Sequence, residues 1–251
     1  MTVMVGAAIA VPALAATATG ELRAAVYGPA VPDSYLVVLR DSVTTDTVGL
    51  AAAAGRLSQR YGGTVGHVYG AALRGFEVRM PEKAAQRLAA DPAVAFVEPN
   101  QVVSLPPAAL APTPTATGVQ VNPPSWGLDR IDQRYLPLDQ LYHYPNTGPN
   151  VRAYVIDTGI RRTHVDFGGR VEPGYDVIDG LPADDCNGHG TAMAGVIGGR
   201  LHGVAKEVRL VPVRVLNCQG SATYAQVIAG VNWVTANAVM PAVALMALGG
   251  S

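Results

Sequence analysis

The stretch Val151-Arg152-Ala153-Tyr154-Val155-Ile156-Asp157-Thr158-Gly159 decides the fold of the second half of the chain. Residues 151–156 are almost continuously apolar, which is typical of a strand buried on both faces of a sheet. Residues 209–216 and 241–246 have the same character, and an apolar helical pattern over residues 223–238 separates them. Such strands, joined by helical crossovers, predict a parallel sheet that is covered by helices on both faces.

Residues 34–104 follow a different order, which is strand, helix, strand, strand, helix, strand. Residues 35–39 are an apolar run suited to a central strand, and Pro81 opens the second helix. This order is the split βαβ arrangement of ferredoxin-like domains. Residues 105–124 then contain six prolines and predict a stiff, exposed linker. The predicted fold is therefore an α+β ferredoxin-like domain followed by a partial α/β domain.

The composition excludes several functional classes. The 251 residues include 18 basic and 19 acidic side chains, so the formal net charge is −1. A nucleic-acid partner is not expected, because binding to phosphates requires a basic face. Charged residues make up only 15% and hydrophobic residues 49% of the chain, which excludes disorder driven by excess charge.

The amino terminus resembles the core of a secretory signal. An apolar run over residues 3–14 is followed by small residues as far as Ala18. The run is shorter than the ~20 apolar residues that cross a bilayer, so stable membrane insertion is not expected. A short membrane anchor and a disordered tail are the alternatives. We interpret residues 1–20 as a leader and expect a secreted protein.

The two cysteines, Cys186 and Cys218, allow two interpretations. An even number of cysteines in an exported chain favours a disulfide. The alternative is a pair of free buried thiols, and the spacing of the two residues leaves this choice open.

Two loops carry residues that are suited to chemistry. Asp157 follows directly after a strand, where open α/β sheets build their sites, although Asp-Thr-Gly is also an ordinary turn sequence. His189 lies between two glycines at the start of a predicted helix, and imidazole is the side chain best suited to move protons near neutral pH. A metal site is the alternative, but its ligands fit no closed four-ligand spacing for zinc. Those ligands would be Asp184, Cys186, His189 and Cys218.

These loops also carry a resemblance to a known family. Residues 155–160 (Val-Ile-Asp-Thr-Gly-Ile) and 187–191 (Asn-Gly-His-Gly-Thr) resemble the Asp and His blocks of the subtilisin-like serine peptidases. Residues 126–131 resemble the start of the mature enzyme in the proteinase K and aqualysin branch. Residues 35–103 are similar to the inhibitor-type propeptide of that family.

The resemblance implies both an organisation and a set of roles. Asp157 would orient the imidazole of His189, which would take the proton from a nucleophilic serine; this triad is a general template for acyl transfer. Cys186 and Cys218 match positions that are paired in the aqualysin branch. The implied segments are a leader (1–20), a propeptide (34–104), a linker (105–124) and the N-terminal half of the peptidase domain (125–251).

The resemblance also implies partners. Ser221, Leu248 and Gly249 lie in the two segments whose backbones would clamp an extended substrate strand. The expected partners are therefore a polypeptide substrate or the chain's own propeptide, and we expect a monomer. No cofactor is required. Structural calcium occurs in the family, but no metal residues are assigned, although Asp166, Asp176, Asp179 and Asp184 are carboxylates that could serve it.

Parts of the family pattern do not occur in this sequence. The Gly-Thr-Ser-Met-Ala block that carries the nucleophile is missing, and so is the later oxyanion Asn; we expect both to lie beyond Ser251. Ala192 stands where the family has a second His, and Ala222 where it has Gly. A fragment of an active sequence and a decaying gene or pseudoenzyme both remain open.

The leading interpretation is the precursor of a secreted subtilisin-like serine endopeptidase that is inactive as these 251 residues. The alternative is a noncatalytic propeptide-type module that inhibits a separate peptidase or assists its folding. The segment that directly follows the propeptide, residues 105–115, is expected to occupy the substrate cleft as a product-like strand.

Overall fold

The computed structural model describes residues 20–26, 28–43, 46–104, 118–180 and 182–249. The predicted leader, except for residue 20, lies outside the described residues. Most of the predicted linker, including residues 105–115, lies outside them as well. None of the helices in the described ranges has both the length and the apolar character needed to cross a bilayer.

The first unit is a sheet covered by two helices, which confirms the predicted α+β arrangement. Its strands lie in the order β1-β5-β2-β4-β3, and the central strand β2 is antiparallel to both of its neighbours. The core contains Val37, Phe76 and Val97 from the sheet and Leu50 and Leu88 from the helices. The elements are β1 (Glu21–Leu22), β2 (Ala30–Leu39), α1 (Thr47–Tyr61), β3 (Thr64–Tyr69), β4 (Gly75–Arg79), α2 (Glu82–Ala89) and β5 (Val94–Ser104).

Helix α1 begins and ends on local signals. The Asp46 side chain accepts a hydrogen bond from the Gly49 N–H at 2.6 Å, which satisfies one of the free donors at the first turn. The helix ends at Gly62, whose φ of 80° places it in the left-handed region that favours glycine. Leu50 and Leu57 are buried on the face that packs on the sheet.

The second unit contains a parallel four-stranded sheet in the order β12-β8-β10-β9. Alternate residues of β8 face opposite sides, so Ala153 and Val155 pack with helix α4, whereas Tyr154 and Ile156 pack with helix α5. The predicted parallel sheet with helices on both faces is therefore confirmed. The remaining elements are β6 (Val119–Val121), α3 (Trp126–Ile131), β7 (Leu141–His143), β8 (Arg152–Asp157), β9 (Tyr175–Asp176), α4 (His189–Gly198), β10 (Arg209–Arg214), β11 (Ser221–Thr223), α5 (Tyr224–Asn237) and β12 (Ala242–Leu245).

The two units meet along β5 and α5. The sequence predicts a last propeptide strand over residues 93–97, but β5 continues to Ser104. Its last three residues pair antiparallel with β11, so a strand of the second unit supplies the hydrogen-bonding partners that extend it. Leu36 and Tyr69 pack against Ala225 and Ala229 of α5, which adds an apolar contact beside this pairing.

Candidate active site

Asp157 and His189 lie in direct contact at the carboxyl end of the parallel sheet. Asp157 is the last residue of β8, and His189 is the first residue of α4. The Nδ1 atom of His189 lies 2.9 Å from both carboxylate oxygens of Asp157. Gly188, immediately before the helix, has a φ of 107°, a conformation that glycine adopts without steric cost. The turn into α4 therefore brings the imidazole over the carboxylate.

The electrostatics of this pair define which nitrogen carries the proton. Burial raises the pKa of the Asp157 carboxyl, while hydrogen bonds from His189 and from the Thr158 N–H act in the opposite direction. When the Asp157 carboxylate is ionised it can only accept hydrogen bonds, and Nδ1 of His189 then carries the proton. In the neutral imidazole this leaves Nε2 without a proton and able to accept one.

Two predicted substrate-binding residues lie on either side of the end of β5. The Ser221 hydroxyl donates to the Val103 carbonyl at 3.1 Å, within the β11–β5 pairing. On the other side, the Ser104 N–H donates to the Gly249 carbonyl at 3.3 Å. The third candidate, Leu248, packs against the apolar cluster beneath α5.

The two cysteines form a disulfide. The Cα atoms of Cys186 and Cys218 are 5.1 Å apart, within the usual range for this bond. It joins the loop before α4 to the loop after β10, beside the candidate site. A disulfide leaves neither sulfur as a thiolate ligand, so the alternative metal site that used both cysteines is wrong.

Three of the four candidate carboxylates for calcium, those of Asp166, Asp176 and Asp179, are hydrogen-bonded within the protein. Arg214 donates to Asp176 at 2.8 Å and to Asp179 at 3.0 Å. The Asp166 carboxylate accepts from the Leu201 N–H at 3.1 Å. Within the described ranges, no group of three or more His, Cys, Asp or Glu side chains is placed to hold a metal ion.

Sequence reasoning missed Asp185, which lies in the loop before α4. Its buried carboxylate accepts hydrogen bonds from the loop after β8 and from the first turn of α4. No local signal distinguishes it, because an Asp in a polar loop next to Asp184 is ordinary turn composition. Only the folded structure shows that Asp185 contacts both loops, through its hydrogen bonds with Thr158 and Thr191.

An α+β unit joined to an α/β unit, with an Asp–His pair at the carboxyl end of the parallel sheet, is the arrangement that the family resemblance implies for a subtilisin-like domain with its propeptide. Comparison with protein families agrees: residues 34–106 match the peptidase inhibitor I9 family, and residues 148–250 match the subtilase family. The chain thus belongs to the subtilases and includes an inhibitor I9 propeptide domain.

Its relatives include proteins named as serine proteinases. The chain is 45% identical to the extracellular serine proteinase of Thermus sp. (strain Rt41A), over 95% of this chain and 60% of that protein. It is 48% identical to alkaline serine exoprotease A of Vibrio alginolyticus, over 78% of this chain and 36% of that protein. The chain therefore spans less than two thirds of the length of either relative.

A solved structure supports the fold. The crystal structure of fervidolysin from Fervidobacterium pennivorans, a keratinolytic enzyme related to subtilisin, matches with a TM-score of 0.63. The match covers 86% of this chain and 36% of that chain, at 19% sequence identity.

Proposed function

We propose that this chain supplies the propeptide and the Asp–His part of a secreted subtilisin-like serine endopeptidase precursor. The observation that carries the proposal is the position of His189 Nδ1, 2.9 Å from both oxygens of a buried carboxylate at the end of β8. The Thermus relative is described as extracellular, which supports export of this chain. We propose a monomer, and calcium stays an expectation from the family resemblance.

The geometry fits acyl transfer to a hydroxyl nucleophile. Asp157 holds the proton on Nδ1 and stabilises the imidazolium once it forms. Nε2 takes the proton of the serine hydroxyl as its oxygen attacks the peptide carbonyl, and the imidazolium later returns that proton to the leaving amine. Ser221 is not this serine, because its hydroxyl donates to Val103 in the β11–β5 pairing.

These 251 residues by themselves are proposed to lack peptidase activity. The Gly-Thr-Ser-Met-Ala block does not occur in the sequence, and in the described ranges the hydrogen bonds of the His189 ring go to Asp157 and not to a serine. Without a nucleophile, no acyl-enzyme forms. The polypeptide made in a protease-deficient host is expected to leave its linker intact and to be inert toward a fluorophosphonate probe. Covalent capture of the probe, or cleavage within residues 105–124, would reject this part of the proposal.

The Asp–His pair itself is tested without turnover. A proton in a hydrogen bond between imidazole and carboxylate is deshielded by the acceptor and exchanges slowly with water. Its NMR resonance should therefore be observable, at low field, in the chain labelled with ¹⁵N-histidine. His189→Gln assigns the resonance, because it removes only that imidazole. Asp157→Asn should abolish it, since the carboxamide offers an N–H₂ group as well as an oxygen to Nδ1. A wild-type spectrum without such a resonance would contradict the proposed pair.

The propeptide is proposed to act as an intramolecular inhibitor. The end of β5 lies between β11 and Gly249 as an added antiparallel strand, which is how an extended peptide binds a sheet edge. Residues 102–104 would therefore exclude a substrate strand from the same backbone groups. This arrangement supports the prediction that the cleft binds the chain's own propeptide; the residues predicted for that role, 105–115, lie outside the described residues.

A second set of contacts holds the propeptide on α5. The Oδ1 atom of Asn232 accepts from the N–H groups of Gly70, Ala71 and Ala72 at 3.0, 2.7 and 3.1 Å. Three backbone donors that converge on one oxygen form a small nest of the kind that binds anions, which orients the β3–β4 turn on the helix. These contacts lie away from the β11 pairing, so the propeptide is attached at two places.

The alternative function is a propeptide-type inhibitor or folding assistant that acts on a separate peptidase. It is favoured by the core of the first unit, which is formed by residues of that unit alone. A polypeptide of residues 20–104 titrated against a related active subtilase tests this alternative. Inhibition at micromolar concentration supports the alternative, and its absence rejects it.

A further inference from the structure

The carboxylate of Asp185 accepts five hydrogen bonds. Oδ1 accepts from the Thr158 hydroxyl at 2.8 Å and from the N–H groups of Asn187 and Gly188 at 2.9 and 2.8 Å. Oδ2 accepts from the N–H and the hydroxyl of Thr191 at 2.9 and 2.5 Å. Only 6% of the Asp185 surface is exposed, so solvent does not replace these bonds.

The donors belong to the two segments that carry the candidate site. Thr158 follows Asp157, and its N–H donates to the Asp157 carboxylate at 2.7 Å. The Thr158 hydroxyl also accepts from the N–H of Gly190 at 2.9 Å, next to His189. Thr191, in the first turn of α4, accepts from the Arg161 N–H at 2.9 Å. One carboxylate therefore joins the loop after β8 to the start of α4.

The bonds require an ionised carboxylate at this position. Burial by itself raises the pKa of the Asp185 carboxyl, but the hydrogen bonds from Gly188, Thr191 and Thr158 outweigh burial, so this pKa lies below its usual value. Every partner of the two oxygens is a donor. An Asn side chain here would replace one carboxylate oxygen with an N–H₂ group. That group is itself a donor, so it would face the donors that Asp185 binds, and at least one hydrogen bond would be lost.

We propose that Asp185 is a positioning residue that sets the distance and orientation between the Asp157 carboxylate and the His189 imidazole. It acts through Thr158 and Thr191, without touching the imidazole. The inference rests on the proposed function, because it assigns Asp185 to the same Asp–His pair. Rigid support of this kind matters because a reactive pair must be held to within about 0.5 Å of its working geometry.

The test measures the geometry of the pair in the full chain. In Asp185→Asn labelled with ¹⁵N-histidine, we expect the low-field Nδ1 proton of His189 to be lost or to exchange with water about tenfold faster, as for the loss of one charge-assisted hydrogen bond. The ¹⁵N shifts should also move toward a mixture of the two imidazole tautomers. Asp184→Asn is the matched control, since it removes the same charge from the neighbouring exposed residue, and its spectrum should equal that of the wild type.

A second pair of variants guards against general unfolding. Thr158→Val keeps the shape of the side chain but removes the hydroxyl bridge, whereas Thr158→Ser restores it. Faster proton exchange in the valine variant and recovery in the serine variant support the proposal. Wild-type signals in both Asp185→Asn and Thr158→Val overturn it while leaving the Asp–His pair intact. By contrast, a wild-type chain without the low-field proton rejects the proposed function itself.

Discussion

The backbone of Gly190 lies against the carbonyl oxygen of Gly159. A Cβ atom at position 190 would stand 2.2 Å from that oxygen and 3.2 Å from the Cβ of Asp157. Real Cβ atoms do not approach backbone this closely, so only glycine allows the first turn of α4 to reach the loop after β8. The contact between His189 and Asp157 depends on this approach.

Gly190→Ala is therefore expected to push α4 away from β8. The added methyl group meets backbone, which cannot move aside as a flexible side chain can, and overpacking of this kind costs about 1–3 kcal/mol. We expect the free energy of unfolding in urea to fall by this amount and the low-field proton of His189 to disappear.

The matched control is Gly195→Ala in the same helix. A Cβ at position 195 meets nothing within 4 Å, so this substitution should leave the low-field proton unchanged. It should also stabilise the helix by about 0.5–1 kcal/mol, because alanine loses less backbone entropy than glycine. If both variants keep the low-field proton and neither loses stability, the close approach of Gly190 to Gly159 is not needed for the contact between His189 and Asp157.

The disulfide is expected to stabilise the second unit. Cys186 and Cys218 are 32 residues apart, and closing a loop of this length restricts the unfolded chain by roughly 3–4 kcal/mol. The double variant Cys186→Ser/Cys218→Ser should therefore unfold at a lower urea concentration than the oxidised wild type. With reductant the two proteins should unfold at similar urea concentrations. A difference in unfolding that persists would indicate that packing of the sulfur atoms, and not the covalent bond, stabilises the wild type.

Asn232→Ala should loosen the propeptide from α5. It removes the single oxygen that accepts from the N–H groups of residues 70–72, so their exchange with deuterium should accelerate about tenfold. Asn237→Ala is the matched control on the same helix, because the Asn237 side chain donates only to the Trp233 carbonyl. Unchanged exchange at residues 70–72 in the Asn232 variant would contradict a role in docking.

Lys206 is expected to make the free energy of unfolding depend on pH in the alkaline range. Its ammonium is buried and donates to Gln120 at 2.7 Å and to the Leu201 carbonyl at 3.1 Å. Burial lowers the pKa of Lys206 from 10.5 to about 8, although the charge of Asp166 acts in the opposite direction. Between these two values the unfolded chain binds more protons than the folded one, so the free energy of unfolding rises with pH.

Lys206→Met removes this proton-binding group and keeps an unbranched side chain. From pH 7 to 9.5, the stability of the wild type relative to the variant should increase by up to about 2 kcal/mol, and below pH 7 the difference should be constant. Urea unfolding of both proteins at each pH gives the difference and cancels the contribution of other groups. A difference that does not change with pH would refute the lowered pKa.

Local patterns in the sequence predicted most of the architecture. The apolar stripe of α1, the nearly continuous apolar run of β8 and the glycine that ends α1 all depend on residues within one or two turns of each other. Hydrophobic periodicity is a local property, so it can be read before any long-range contact is known. The family resemblance at Asp157 and His189 also used short, contiguous blocks.

Contacts between distant segments could not be predicted in this way. β5 extends to Ser104 because its last three residues form backbone hydrogen bonds with β11, a strand more than a hundred residues later in the chain. The spacing of Cys186 and Cys218 left a disulfide and two thiols equally open, until the fold placed their Cα atoms 5.1 Å apart. Asp185 acquires its role only where two loops converge on one carboxylate. Side-chain patterns along the chain specify which segments are helices and strands, whereas the partners of a buried polar group depend on which surfaces meet after folding.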